Sequence, residues 1–289
     1  MGGIMERYGL VLEGGGVRGA YTAGALAWLQ DNDITFDYSV GISSGALYLC
    51  CYLMKEKDIA YRTAVFHAND PKNTGLAALR KEHHYVAYKY MFNRYLRDQE
   101  HLSLKPLKDN HVNMEVGVYD LKEGKTVWMN PDDMDDTLDL IQGCCALPVA
   151  SAVVDYHGRR ILDGGITKMI PIERAVEVGC TKCLVITTKP ADYVRKPGSP
   201  IVNWLIKRMY KECPQAAKDY EVRHINYYKQ IGMINDMVEQ GTALHVRPSK
   251  NIHVSRFKGD VDKCQELYDL GYRDMEERRQ DILQFLGRK

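Results

Sequence analysis

The sequence places a serine between two glycines at the point where one apolar run gives way to another. The pentapeptide Gly41-Ile42-Ser43-Ser44-Gly45 has the form G-x-S-x-G; the apolar run Tyr38–Ile42 leads into it, and Ala46–Met54 follows it. A buried strand, this pentapeptide and a helix together predict a nucleophile elbow, a sharp turn that exposes a serine hydroxyl for attack on a carbonyl carbon. The following helix would point its N-terminal amides at Ser43. An ordinary tight turn is the alternative, because glycine and serine are common residues.

A second glycine-rich segment lies nearer the N-terminus. Gly14-Gly15-Gly16-Val17-Arg18-Gly19 follows the apolar run Tyr8–Glu13 and precedes an apolar helix that begins at Ala20. Consecutive backbone amides at a strand-to-helix junction form an anion site. A nucleotide phosphate is one candidate, but the segment lacks the G-K-[ST] of a phosphate loop, and the next strand ends in Ser43 where a dinucleotide-binding domain needs an acid. We therefore favour the oxyanion of an acyl-transfer intermediate.

A carboxylate stands at the end of a third predicted strand. Asp163 follows the run Arg159–Leu162, the second half of a hairpin that begins at Ala152, and is followed by Gly164 and Gly165. A catalytic base needs a carboxylate fixed at a strand end with close backbone approach beside it. Turn chemistry alone also explains Asp-Gly, so by itself this feature favours a turn.

The elements that must position these residues alternate between strand and helix. The order predicts a right-handed β-α-β-α unit with parallel strands, so the glycine loop and the elbow should meet at one edge of the sheet. A further buried strand is predicted at Lys182–Thr188. The fold class is therefore α/β, with a mostly parallel central sheet and helices on both faces. Single helices are predicted over Arg80–Arg97, Gln215–Val238 and about Val261–Leu286.

Length and composition fit one large domain. We predict a single α/β hydrolase domain over residues 1–289, with a catalytic core at about 8–188 and a helical C-terminal part at 189–289. Within the latter, a stretch rich in Lys, Pro and Gly enters an apolar segment with basic flanks. Residues 191–212 could therefore form an interfacial lid, with a peripheral helix as the alternative.

Charge and cysteine usage exclude some partners and compartments. Lys and Arg number 39 against 38 Asp and Glu, so a nucleic-acid partner is not expected. The eight cysteines and the absence of a signal-peptide pattern predict reduced thiols and a cytoplasmic protein. Cys180 and Cys183 form a lone C-x-x-C that leads into a strand, which favours a structural role. No apolar run is long enough to span a bilayer, although contact with a membrane surface stays open.

Taken together, the three glycine-containing blocks resemble the signature blocks of the patatin-like phospholipase family, in its bacterial form. The resemblance runs from Tyr8 to about the Lys182–Thr188 strand. Gly143-Cys144-Cys145-Ala146-Leu147-Pro148 resembles a further block, usually Ala-Ser-x-Ala-x-Pro, but has Gly and Cys in its first two positions. The resemblance implies a patatin-like three-layer α/β/α fold.

The resemblance also implies a mechanism. Ser43 would be the nucleophile and Asp163 the base, and a lipid carboxylic ester would be hydrolysed through an acyl-enzyme without a metal or other cofactor. The Gly15 and Gly16 amides, helped by Gly14 and Arg18, would stabilise the oxyanion. Gly41, Gly45, Gly164 and Gly165 would support the elbow and the aspartate turn.

Other functions remain open at this stage. One is an α/β-hydrolase triad in the order Ser43, Asp163 and then His245 or His253, but the oxyanion loop of such enzymes lies further before the nucleophile. Another is a regulatory or binding protein that keeps the fold without the activity, and a third is a nucleotide-binding domain. Among enzymes, the phospholipase, lysophospholipase, simple esterase and acyltransferase activities are all compatible with these residues.

Overall fold

The computed structural model describes residues 6–255 and 260–288, and within them it contains one eight-stranded sheet surrounded by helices. The strands, β1 to β8 in chain order, are Tyr8–Leu12, Tyr38–Ile42, Met114–Asp120, Lys125–Met129, Val154–Tyr156, Arg159–Asp163, Lys182–Ile186 and Ala243–Val246. The α-helices, α1 to α13, are Gly19–Asp31, Ser44–Leu53, Lys57–Val65, Gly75–Glu82, Tyr88–Met91, Lys105–Asp109, Asp139–Cys145, Ile172–Glu177, Pro200–Met209, Pro214–Glu221, Arg223–Glu239, Val261–Glu277 and Arg279–Phe285.

The sheet is mostly parallel, as the alternation of strands and helices predicts. The strand order is β5-β6-β3-β2-β1-β7-β8, with β4 also paired to β3. Strands β3, β2, β1, β7 and β8 run parallel to their neighbours within that group, whereas β4, β5 and β6 pair antiparallel. None of the helices in the described ranges is long and apolar enough to cross a membrane.

Helices cover both faces of the sheet, which confirms the three-layer arrangement. Successive side chains of β1 enter opposite cores: Leu10 and Leu12 pack with helices such as α1, α2 and α12, while Val11 packs with α8 and α11. A strand buried on both faces needs apolar residues at every position. This requirement explains why the β1 segment is a continuous apolar run and why β2 departs from one only at Ser39.

Strand β3 has an unusual pairing that positions the candidate site. Along one edge it pairs with β4 over Val116–Asp120. Its other two partners, β2 and β6, must therefore both pair with the opposite edge of β3. Strand β2 runs alongside it and ends with Ile42 opposite Gly117. Strand β6 arrives from the other direction and ends with Asp163 opposite Val118. The two strands thus end against consecutive residues of β3.

Three predicted helices are wrong in extent, because each is broken into shorter segments. The Arg80–Arg97 segment is split: α4 ends at Glu82, the next residue, His83, has a left-handed backbone, and the short α5 continues as a π-helix over Phe92–Arg97. The predicted Gln215–Val238 helix breaks at Val222, next to an arginine that bonds to the site. The C-terminal helix breaks at Arg278, whose guanidinium donates to the carbonyl of His245.

The C-terminal part packs directly against the N-terminal part. Strand β8 extends the sheet beside β7, and α12 crosses α1 at two glycines. A Cβ atom at Gly24 would lie 1.9 Å from the Tyr268 carbonyl oxygen, and one at Gly271 would lie 2.0 Å from that of Tyr21. The two helix backbones are therefore in contact. Next to this crossing, the Tyr21 hydroxyl donates to Asp274 at 2.9 Å.

We propose that these contacts make the chain one cooperative folding unit, and Gly271→Ala tests this. The added methyl group has no space, so the free energy of unfolding should fall by about 1–3 kcal/mol, the usual cost of overpacking. Urea denaturation followed by circular dichroism should still show a single transition.

The matched control is Gly232→Ala in α11, where a Cβ atom would meet nothing within 4 Å. This change should raise the free energy of unfolding by about 0.5–1 kcal/mol, because glycine is the poorer helix former. A separate early transition in the Gly271 variant, or equal stability of the two variants, would contradict the proposal.

Candidate active site

Ser43 lies on a strained turn between β2 and α2. Its backbone angles are φ 56° and ψ −129°, which a non-glycine residue adopts at a cost of about 1–3 kcal/mol. The turn is tight because a Cβ atom at Gly41 would lie 2.8 Å from the backbone of Gly45, and one at Gly45 would lie 2.7 Å from the Glu13 carbonyl oxygen. Ser43 is 6% exposed, at the N-terminus of a buried helix.

Asp163 is held at the end of β6 by backbone contacts on both sides. Its Oδ1 accepts a hydrogen bond from the Gly165 amide at 2.7 Å, and its own amide donates to the Ala146 carbonyl at 2.8 Å. A Cβ atom at Gly164 would lie 2.6 Å from the Gly117 carbonyl oxygen, so the turn presses against β3. The carboxylate is 2% exposed.

The three glycines of the loop after β1 have different hydrogen bonds. The Gly14 amide donates to the Met169 carbonyl at 3.1 Å, and the Gly15 amide donates to Ser44 Oγ at 3.0 Å. Gly16 has φ 58° and begins a short 3-10 helix that ends at Arg18. The first amides of a helix have no partner within it, so the Gly16 amide is the donor of this loop that best suits an incoming anion.

Ser43 and Asp163 line the same cavity, together with Gly14, Gly15, Gly16 and Arg18. The structure therefore brings together the catalytic and oxyanion residues predicted from the sequence. Three further basic side chains line this cavity: Lys189, Arg195 and Arg223. Among the described residues of its wall, Asp163 is the one acid. We call this the basic cavity.

A second cavity opens on the other side of the nucleophile. Its wall shares Gly16 and Ser43 with the basic cavity. The rest of the wall is mostly apolar, with Val17, Leu47 and Met91 among its residues and no charged side chain among the described residues that line it. We call this the apolar cavity. Ser43 thus stands where an apolar and a positively charged space meet.

A buried ion pair includes Lys189, one of the residues that line the basic cavity. Lys189 Nζ bonds to Glu13 Oε1, and their side chains are 3% and 0% exposed. The amide and hydroxyl of Thr188 donate to Glu13 Oε2 at 2.6 and 3.0 Å. Burial alone would raise the pKa of Glu13, but the Lys189 charge and these hydrogen bonds keep it below its ordinary value. Burial lowers the pKa of Lys189, and the charges of Arg18 and Arg195 lower it further.

The sequence interpretation missed Glu13, Ser44, Lys189, Arg195 and Arg223. A signal existed for two of them, because Glu13 and Lys189 follow the ends of parallel strands, where α/β proteins place their ligands. Arg195 lies in a stretch without regular structure. Arg223 begins α11, and its Nε donates to the Gly165 carbonyl at 2.7 Å. Nothing in the local sequence marks either arginine.

The histidines of the alternative triad lie elsewhere. His245 is on β8, and its Nε2 is 2.9 Å from Thr187 Oγ1; burial lowers its pKa to about 4. His253 is exposed, and neither residue lines the basic or the apolar cavity. Within residues 6–255 and 260–288, no group of three His, Cys, Asp or Glu side chains is arranged to hold a metal ion.

The fold and the site define a three-layer α/β protein with a serine at a strained strand-to-helix turn. Residues 10–176, more than half of the chain, match the family model described as patatin-like phospholipase. The chain belongs to the patatin-like phospholipase family, a family of lipid acyl hydrolases. Residues 213–287 match a second family model, described as a domain of unknown function, DUF6363.

Individual similar proteins are distant. The chain is 23% identical over 284 residues to the uncharacterized protein YjjU of Escherichia coli strain K12, covering 92% of this chain and 75% of that protein. The crystal structure of VipD from Legionella pneumophila aligns with a TM-score of 0.42 and 12% identity, covering 94% of this chain and 66% of the VipD chain, just under two thirds.

The Glu13–Lys189 pair yields a stability prediction. Lys189→Met leaves the Glu13 carboxylate buried without its cation, so the free energy of unfolding should fall by about 3–5 kcal/mol. Adding Glu13→Gln removes the buried charge and should restore most of the loss. Urea denaturation of both variants and the wild type measures the difference. If the double variant were no more stable than the single one, the unpaired Glu13 charge would not be the cause of the lost stability.

Proposed function

We propose that the protein is a serine acyl hydrolase of lipid carboxylic esters that uses Ser43 as nucleophile and Asp163 as general base. One observation carries this proposal: β2 and β6 end against consecutive residues of β3, and Ser43 and Asp163 line the same cavity. Membership of the patatin-like phospholipase family supports the lipid ester as substrate.

The acylation step follows from these positions. Ser43 Oγ attacks the ester carbonyl carbon while its proton passes to Asp163. The oxyanion that forms accepts a hydrogen bond from the Gly16 amide, with the positive end of α2 and the charge of Arg18 nearby. The bond between the carbonyl carbon and the alcohol oxygen then breaks, and the leaving alcohol takes the proton from Asp163.

Deacylation repeats the sequence with water. Asp163 accepts a proton from a water molecule that attacks the acyl group on Ser43. The bond to Ser43 breaks, the fatty acid leaves, and the proton returns to Ser43 Oγ. The acyl chain would occupy the apolar cavity throughout, and the alcohol side of the ester would occupy the basic cavity. No metal ion is needed in either step, because Asp163 moves each proton.

The experiment is hydrolysis of p-nitrophenyl esters, from butyrate to palmitate, by purified variants of unchanged circular dichroism. We expect Ser43→Ala to lower kcat/KM by about a thousandfold or more and Asp163→Asn by about a hundredfold or more. His253→Ala, an exposed histidine, is the matched control and should keep most of the activity. Equal rates for wild type and Ser43→Ala, with and without detergent micelles, would favour a binding protein that kept the fold.

We also propose that α9 and the stretch before it form a lid that meets the lipid surface. Residues 191–199 have no regular structure, and Arg195 within them lines the basic cavity. On α9, Ile201 is 71% exposed and Trp204 58% exposed, and the helix ends with Lys207 and Arg208. An apolar face with basic residues at its end suits an anionic lipid interface.

Trp204 offers a direct test of this lid. Of the three tryptophans, Trp28 is fully buried, Trp128 is half-buried and Trp204 is exposed, so added vesicles should shift mainly the fluorescence of Trp204 to shorter wavelength without a change in fold. Trp204→Ala should abolish the shift and lower the rate on micellar esters several-fold, while leaving the rate on p-nitrophenyl butyrate near that of the wild type. An unchanged micellar rate would exclude α9 from the lipid contact.

A further inference from the structure

Three basic side chains of the basic cavity come from a part of the chain that the proposed chemistry does not use. Ser43, Asp163 and the glycine loop lie within the residues that match the patatin-like phospholipase model. Lys189, Arg195 and Arg223 lie beyond it, the first two between the matched ranges and the third in the second range. These three side chains nevertheless line the same cavity as the nucleophile.

The side chains that line this cavity carry a net positive charge. Among the described residues, the wall has one acidic side chain, that of Asp163, and four basic ones, those of Arg18, Lys189, Arg195 and Arg223. The basic residues still outnumber the acidic ones when Glu13, the partner of Lys189, is counted. Lys189 and Arg195 are only 3% and 8% exposed. An anionic ligand in this cavity would lower the mutual repulsion of these cations. Burial lowers the pKa of Lys189, and the charges of Arg18 and Arg195 lower it further.

The aromatic residues nearby do not favour a cationic ligand. A quaternary ammonium group binds over the faces of aromatic rings. Here Lys189 Nζ lies 5.7 Å from the centre of the Tyr193 ring and 5.6 Å from that of Tyr227, and the Arg195 guanidinium lies 5.3 Å from the Tyr227 ring. Both rings therefore already face cations of the protein. Guanidinium groups, in contrast, match the oxygens of a phosphate with paired hydrogen bonds.

We propose that Lys189, Arg195 and Arg223 form a subsite for a phosphate on the alcohol side of the ester. The substrate class is then a long-chain acyl ester of a phosphorylated polyol, in preference to a neutral ester or one that carries choline. This inference rests on the proposed function, because the ester must bind at Ser43 for its alcohol side to face the basic cavity.

The first test compares three lipids with the same oleoyl chain: lysophosphatidic acid, lysophosphatidylcholine and monooleoylglycerol, each at low mole fraction in neutral detergent micelles. We expect kcat/KM to be about tenfold or more higher for lysophosphatidic acid than for either of the others, the effect of one or more charge-assisted hydrogen bonds. Arg195→Gln and Arg223→Gln should each lower this preference about tenfold.

The matched control is Arg97→Gln, which removes an arginine that is 55% exposed and paired with Asp98 on the surface. This variant should keep the preference for lysophosphatidic acid. If it lost as much of that preference as Arg195→Gln does, general electrostatic attraction to the protein surface would explain the preference, and the subsite would be wrong. If wild type hydrolysed all three lipids equally through Ser43, the subsite would be wrong and the proposed function would stand.

A binding measurement tests the subsite without turnover. Calorimetry on folded Ser43→Ala protein should give about tenfold or more tighter binding for a 1-O-alkylglycerol 3-phosphate than for the 1-O-alkylglycerol. Adding Arg195→Gln should remove the difference. Equal binding of the two ether lipids would overturn the subsite. Inorganic phosphate that bound as tightly as the ether phosphate would overturn the head-group assignment and indicate a site for free phosphate.

Discussion

The candidate site depends on the division of one edge of β3 between two strands of opposite direction. Strand β2 leaves that edge at Gly117, and β6 meets it at Val118. Because each strand ends there, the residue after β2 and the last residue of β6 are brought to one place by backbone pairing alone. A shift of register by one residue would turn every side chain of the moved strand to the other face. The long-range hydrogen bonds of the sheet therefore fix Ser43 relative to Asp163, and the side chains need little adjustment.

The strain at Ser43 persists because its surroundings are buried and tied together. The elbow is followed by a helix without a charged residue, whose residues from Ser44 to Tyr52 are all buried. Ser44 accepts the amide of Gly15, which joins the elbow to the glycine loop. Glu13 joins the end of β1 to Thr188 and Lys189 after β7. Three neighbouring strand ends are thus connected by buried hydrogen bonds, and relaxing the turn would break contacts in all of them.

The sequence predicted what is local in this fold and missed what is assembled from distant segments. The apolar runs and glycines around Ser43 and Asp163 are local patterns, so they predicted the strands, the two hairpins and the turns that carry the site. The break at Val222 and the left-handed His83 have no glycine or proline to mark them. Beside the first break, Arg223 makes a long-range hydrogen bond to the Gly165 carbonyl, which the local sequence does not indicate. Arg195 lies in a loop and Arg223 at the start of a helix, and no periodic sequence pattern predicts that either residue lines the cavity. For Lys189, its place at the end of a parallel strand was the available clue.

The residues proposed for the chemistry and those proposed for substrate selection come from different kinds of structural element. A nucleophile and a base must keep a fixed separation, and Ser43 and Asp163, proposed for these roles, lie at the ends of strands of the sheet. Residues that select a substrate need to match a ligand surface, and Lys189, Arg195 and Arg223, proposed for that role, come from a segment after a strand, a loop and a helix end. Arg223 belongs to both groups, because its Nε holds the Gly165 carbonyl in the turn whose amide binds Asp163. A ligand that contacts this arginine is thereby connected through two hydrogen bonds to the carboxylate proposed to move the proton.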